Sequence, residues 1–128
     1  MKQSAFFHSE ACFWHTTGEA ALTQPVGGWV QPMVAGGHAE SPESKRRMLN
    51  LMRRTGLFEA LDTPSAPPAS LEQLSRIHKT SYLEEFQSLS ERHGGLLGPA
   101  APFGKGSFDI ACMSAGLAVE ALATVLKG

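Results

Sequence analysis

The residues best suited to chemistry lie close to the amino end. His8, Cys12 and His15 form the pattern H-x3-C-x2-H, with Glu10 between them. All are zinc-capable donors, and zinc takes three or four such ligands. The spacing matches no closed structural site, and no second cluster supplies a fourth ligand. The expectation is therefore ordinary half-buried residues after a strand, with a small metal-binding protein as a rival idea. His38, His78 and His93 have no carboxylate partner at helical spacing and read as surface or capping residues. The run FGKGS, Phe103 to Ser107, joins a glycine pair, a lysine and a helix start, which together could hold an anion. It lacks the G-x4-G-K-S/T frame and an evident preceding strand, so it reads as a loop ending in a helix cap. There is no G-x-S-x-G elbow and no supportable Ser/His/Asp arrangement. Neither a metal centre nor an activated nucleophile emerges from these residues alone.

The elements that must position them are punctuated unevenly. Ser4 to His8 reads as a short strand bounded by Ser9 and Glu10. Residues 10–40 show no sustained periodicity, and Gly27–Gly28, Gly36–Gly37, Pro25 and Pro32 break any regular element. This long loop carries Trp14 and Trp29, and a disordered linker rarely contains two tryptophans, so it is expected to pack on something.

Ser41 to Leu57 is the best-marked helix. Ser41 is placed to cap it, Pro42 suits its first position and Glu43 complements the helix dipole. Met48, Leu51 and Met52 form an apolar stripe, and Gly56 supplies a left-handed stop. Its basic residues, Lys45, Arg46, Arg47, Arg53 and Arg54, read as a solvated face with dipole complements in the last turn. Phe58 to Ser65 has room for a short strand. Ser70 opens a helix with the capping box Ser-Leu-Glu-Gln, whose buried side is Leu71, Leu74 and Ile77. A third helix from about Thr80 carries Tyr82, Leu83, Phe86 and Leu89 and stops at Gly94–Gly95. A second irregular loop leads to a last helix, Ser107 to Lys127. Phe108, Ala111, Ala115, Ala118, Leu122 and Val125 line one side of it, and Ile110, Met113, Leu117, Val119 and Leu126 fill much of the rest. A helix so apolar all round needs cover on most sides, and the rest of the chain offers little.

Composition narrows the classes. A chain of 128 residues is one domain at most, and 42% hydrophobic with 18% charged residues is globular. A formal net charge of -1 gives no reason to invoke nucleic acid or an anionic membrane. The last helix contains Asp109 and Glu120, so it reads as a core helix rather than a membrane span. The start is too short in apolar residues for a signal peptide, so a cytoplasmic protein with reduced Cys12 and Cys112 is expected. Unsatisfied apolar faces imply self-association into a homo-oligomer.

Several stretches together resemble the zinc-dependent deacetylase family of histone deacetylases, histone deacetylase-like amidohydrolases and acetylpolyamine amidohydrolases. They are AFFHSE with WHTTG, PVGGWVQP, GHAESPESKRR with its TGL end, LEQLSRIHKTSYLEEF, and FDIACMSAGLAVEALATVLKG. PVGGWVQP with GHAESPE is nearest the bacterial amidohydrolase branch. The resemblance implies an arginase-like α/β fold, of which this chain would be the amino-terminal part: mostly helical, with one or two short strands and two long loops. It implies hydrolysis of acetyl-amides of lysine or polyamines by a zinc held by Asp-x-His and a second Asp, with a His-His pair moving protons.

This sequence contains neither Asp-x-His nor His-His. Residues 1–128 are therefore read as a single partial domain, an amino-terminal third ending before the catalytic core. The expectation is an isolated chain that is catalytically inert, has no catalytic or metal-ligating residues of its own, and meets an acetylated amine only when completed by that core. By the same resemblance, Trp29, Pro32 and Met33 would sit at the rim of a substrate tunnel. Arg47 would line an inner channel, and the loop from Leu96 to Phe103 would form the other rim, with Pro99 where relatives often carry an aspartate. The alternative is a stand-alone oligomerisation or interaction module derived from that fold.

Overall fold

The computed structural model describes residues 4–17, 20–21, 24–25, 41–99 and 101–127. The chain opens in extended form. Ala5 makes a parallel bridge with Asp62, in which the Phe6 N–H donates to the Asp62 carbonyl at 2.7 Å and the Asp62 N–H donates to the Ser4 carbonyl at 3.1 Å. Of the two expected strands, Ser4 to His8 and Phe58 to Ser65, only this bridge forms, and Phe58 to Ala60 is helical instead. Neither has enough paired neighbours to become a ladder of its own. A 3-10 helix follows, Glu10–Trp14, capped by Ser9, whose hydroxyl accepts from the Ala11 N–H at 3.3 Å. Single-turn helices carry no readable period, which is why the sequence did not announce it. Two residue pairs, β1 (Ala20–Ala21) and β2 (Gln24–Pro25), are antiparallel within the first long loop.

Helix α1 spans Glu43–Arg54 and ends at Thr55 and a left-handed Gly56 with φ 77°. The expected Ser41 cap is not made. Pro42 takes the cap position without a side-chain bond, and Ser41 instead offers its carbonyl to the Ser44 hydroxyl at 3.4 Å. Nor is the expected stripe the buried one. Leu49 is 1% exposed, whereas Met48 and Leu51 are exposed. Helix α1 packs on α2 (Leu57–Ala60) and on the 3-10 helix.

Helix α3 spans Leu71–Ser75, and its capping box forms in full. The Gln73 N–H donates to the Ser70 hydroxyl at 3.2 Å, and the Ser70 N–H donates to Gln73 Oε1 at 2.8 Å. The helix stops after one turn, so Ile77 lies beyond it, and of the expected face only Leu74 packs inward, while Leu71 and Ile77 are exposed. Helix α4, Thr80–Arg92, brings Leu83 and Phe86 to the core. The second loop holds a small antiparallel pair, β3 (Gly95–Leu96) with β4 (Pro102–Phe103). Gly94, at φ 84°, starts it, and an added Cβ there would overlap the Phe103 carbonyl.

Helix α5 runs Ser107–Lys127, the span expected. Its buried line is Ser107, Phe108, Cys112 and Gly116, which shares Phe108 with the side read from the sequence but not the alanines, Leu122 or Val125. The cause is the segment 67–69, which crosses α5 at Gly116. The Ala69 N–H donates to the Cys112 carbonyl at 2.8 Å, and only a residue without a Cβ admits that approach. Around it lies the core: Leu83, Phe108 and Cys112, with Leu74 and Phe86 against them. The Phe86 ring meets Phe103 edge-on at 4.7 Å and Phe108 at 5.3 Å. By length and composition α5 could also cross a membrane. Its second half is bare, with Leu122, Val125 and Leu126 at 61%, 77% and 78% exposure.

Candidate functional site

A cleft lies where the 3-10 helix, the start of α1 and the first turns of α5 converge. It encloses about 330 Å3, lined by Cys12, Phe13 and His15, by Ser41, Pro42 and Lys45, by Phe86, and by Ser107, Ile110, Ala111 and Ser114. Its walls are largely apolar. His15 turns its Nδ1 to the buried Ser107 hydroxyl at 3.3 Å. His8 lies elsewhere: its ring stacks on Phe6 at 5.3 Å and meets Phe58 edge-on at 5.3 Å, and its Nδ1 is buried without a hydrogen-bond partner. Cys12 and His15 thus share the cleft, and His8 stands apart from them. Among the described residues no group of three His, Cys, Asp or Glu side chains converges to hold a metal.

Both cysteines are free thiols. Burial pushes the Cys12 thiol above its ordinary pKa. Burial also raises that of Cys112, and the neighbouring Asp109 carboxylate adds to the effect, partly offset by a backbone hydrogen bond. Both therefore stand protonated at neutral pH, the opposite of an activated nucleophile. The start of α5 offers no anion cradle either. The Phe108 N–H donates to the buried Ser90 hydroxyl at 2.9 Å, and the Gly106 N–H donates to the Ser90 carbonyl at 3.0 Å. The FGKGS run is thus a loop closed by a serine reaching across from α4.

Of the tunnel residues implied by resemblance, Trp29, Pro32 and Met33 lie outside the described residues. Arg47 is on the surface: its side chain is 79% exposed, and its Nε lies 3.3 Å from Glu43 Oε1 one turn back. Pro99 is exposed in the turn between β3 and β4, whereas Phe103 is 7% exposed and serves the core through Phe86. The neighbouring Arg46 is the arginine that turns inward. Its Nη2 donates to the Phe13 carbonyl at 2.8 Å, its guanidinium lies over the Phe13 ring at 5.3 Å, and it pairs with Glu43 at 3.5 Å and Glu10 at 3.7 Å. The sequence held one signal for this, Glu43 three residues before it on the same helix face. The contact to Phe13 spans 33 residues and leaves no local trace.

A mostly helical chain with one parallel bridge and small antiparallel strand pairs is consistent with an amino-terminal portion of an arginase/deacetylase α/β fold. Residues 38–128 match the histone deacetylase domain, and the chain belongs to the histone deacetylase family. It is 56% identical over 127 residues to a histone deacetylase-like amidohydrolase of Pseudomonas aeruginosa strain PAO1, a match covering 99% of this chain and 33% of that protein. The chain thus spans one third of the length of that curated relative.

Proposed function

We propose that residues 1–128 form a partial domain, the outer helices and tunnel-rim loops of a zinc-dependent deacetylase-type amidohydrolase, and that the catalytic sheet docks on them. The observation that carries this is the bare second half of α5. Its first half is packed within the chain, while Val119, Leu122, Val125 and Leu126 are exposed among the described residues. An apolar surface of that kind on a family member that spans one third of its relative suits burial against the rest of such a domain.

The donor set here does not fit zinc, since Asp-x-His and His-His are absent from the sequence. No step of amide hydrolysis is assigned to this chain. Its part is to shape access for an acetylated lysine or polyamine, through the loops that contain Trp29, Pro32, Met33 and Pro99, with Arg47 carried outward on α1. A cytoplasmic setting without nucleic-acid or membrane partners agrees with the net charge of -1.

The test is complementation. Purified chain with zinc and an acetyl-lysine reporter is expected to give no turnover. Mixing it with the separately expressed remaining two-thirds of the Pseudomonas relative is expected to give turnover that a chelator abolishes. Turnover by the chain alone, or no gain on mixing, overturns the reading. The same apolar face favours a second reading, a homo-oligomerisation module in which two copies cover each other's α5. Light scattering over a concentration series separates the two, since a module associates without the missing part.

A further inference from the structure

We infer that Arg46 is the positioning residue for a segment that leads into the first rim loop and braces the end of the second. The segment is Phe13–Thr16, and it is held from two sides. On one side Arg46 grips the Phe13 carbonyl at 2.8 Å and covers the Phe13 ring, while Glu43 and Glu10 hold the guanidinium in place. On the other, the Gly104 N–H donates to the Thr16 carbonyl at 2.8 Å, and His15 meets the Ser107 hydroxyl at 3.3 Å. The Thr16 methyl lies so close over Gly104 that a Cβ there would overlap it.

Residues 13–16 lead into the first long loop, and Gly104–Ser107 ends the second. Both roots therefore share one junction, and Arg46 is a charged side chain that holds it. A guanidinium is suited to this because it donates to a carbonyl and stacks on a ring at once, which an ammonium cannot do with the same geometry. Among the described residues Arg47, one residue on, pairs with Glu43 of its own helix. The inference extends the proposed function, since the loops matter to catalysis only if they frame a substrate tunnel.

Two measurements keep the inference apart from that reading. The first uses the chain alone: hydrogen exchange of the peptides covering residues 9–17 and 104–108, in wild type, Arg46→Ala, Arg46→Lys and Arg47→Ala. Loss of a charge-assisted bond is expected to speed exchange in both peptides about tenfold or more in Arg46→Ala. Arg46→Lys, which keeps the pairing with Glu10 and Glu43, is expected to recover part of the protection, and Arg47→Ala to match wild type. Equal exchange in the two alanine variants overturns the inference, and so does acceleration confined to residues 9–17, because the shared root would then be absent. If Arg46→Ala fails to fold, Arg46→Lys against Arg47→Ala decides in the same way. The second uses the complemented enzyme. Arg46→Ala is expected to raise KM severalfold with kcat little changed, and an unchanged KM overturns the rim role. A wild-type chain that fails to complement sinks the proposed function, and the exchange result still decides the junction.

Discussion

The two halves of α5 have similar apolar composition and opposite fates. From Ser107 to Gly116 one face of the helix is covered: Phe108 meets Phe86, Ser90 bonds the Phe108 N–H, and the backbone of 67–69 lies on Gly116. From Leu117 onward Leu122, Val125 and Leu126 stand exposed among the described residues. Hydrophobic burial scales with the area removed from water, whichever chain supplies the cover. The first half thus stabilises this chain, and the second half stores apolar area for a neighbour. Substitutions in the first half should therefore destabilise the chain, and substitutions in the second should alter only what it binds.

The largest effect is expected at the ring that anchors the covered half. Phe108→Ala removes the centre of the core formed with Leu83, Cys112 and Phe86. A loss of about 3–5 kcal/mol is expected, visible as a lowered urea midpoint. A loss below about 1 kcal/mol would show that the covered half is no core. Next comes Gly116→Ala. The added Cβ would overlap the Pro67 carbonyl oxygen and approach the Ala69 nitrogen to 2.8 Å, and both are backbone atoms that cannot rotate aside. A loss of about 1–3 kcal/mol is expected despite alanine's better helix propensity. A stabilised variant would mean that segment 67–69 does not cross α5 so closely. Ser90→Ala should follow at about 1–2 kcal/mol, because it leaves the Phe108 N–H buried without an acceptor. Ser90→Thr is the control that keeps the hydroxyl.

What the sequence disclosed and what it hid divide along the same physical line. Features set by a few adjacent residues were legible: the Ser70–Gln73 box, the Gly56 stop and the full extent of α5. Gly94–Gly95 also ended α4 as its pattern implied. Features set by contacts between distant segments were not. Leu49, rather than Met48 or Leu51, is buried on an α1 that packs against α2 and the 3-10 helix. Ser90 reads as a polar residue in an amphipathic helix, and only folding puts it under Phe108. Arg46 and Arg47 are indistinguishable as letters, and the Phe13 carbonyl separates them. The bare half of α5 was legible from its all-round apolarity, since an excess of apolar side chains needs no knowledge of where the neighbours lie.

The smallest effect on stability, and the sharpest on the contrast, is expected at the end of α5. Leu122→Gln with Leu126→Gln changes two residues that are 61% and 78% exposed. Little area leaves contact, and glutamine is a good helix former, so unfolding should shift by no more than about 0.5 kcal/mol. Association should change much more, because the same side chains would be buried against either a second copy or a catalytic sheet. Under the docking reading the double variant stays folded and loses complementation by the rest of the relative. Under the oligomer reading it stays folded and becomes monomeric by light scattering. A double variant that unfolds would instead mean that the second half of α5 is already covered within this chain, and the difference between the halves would then be one of degree.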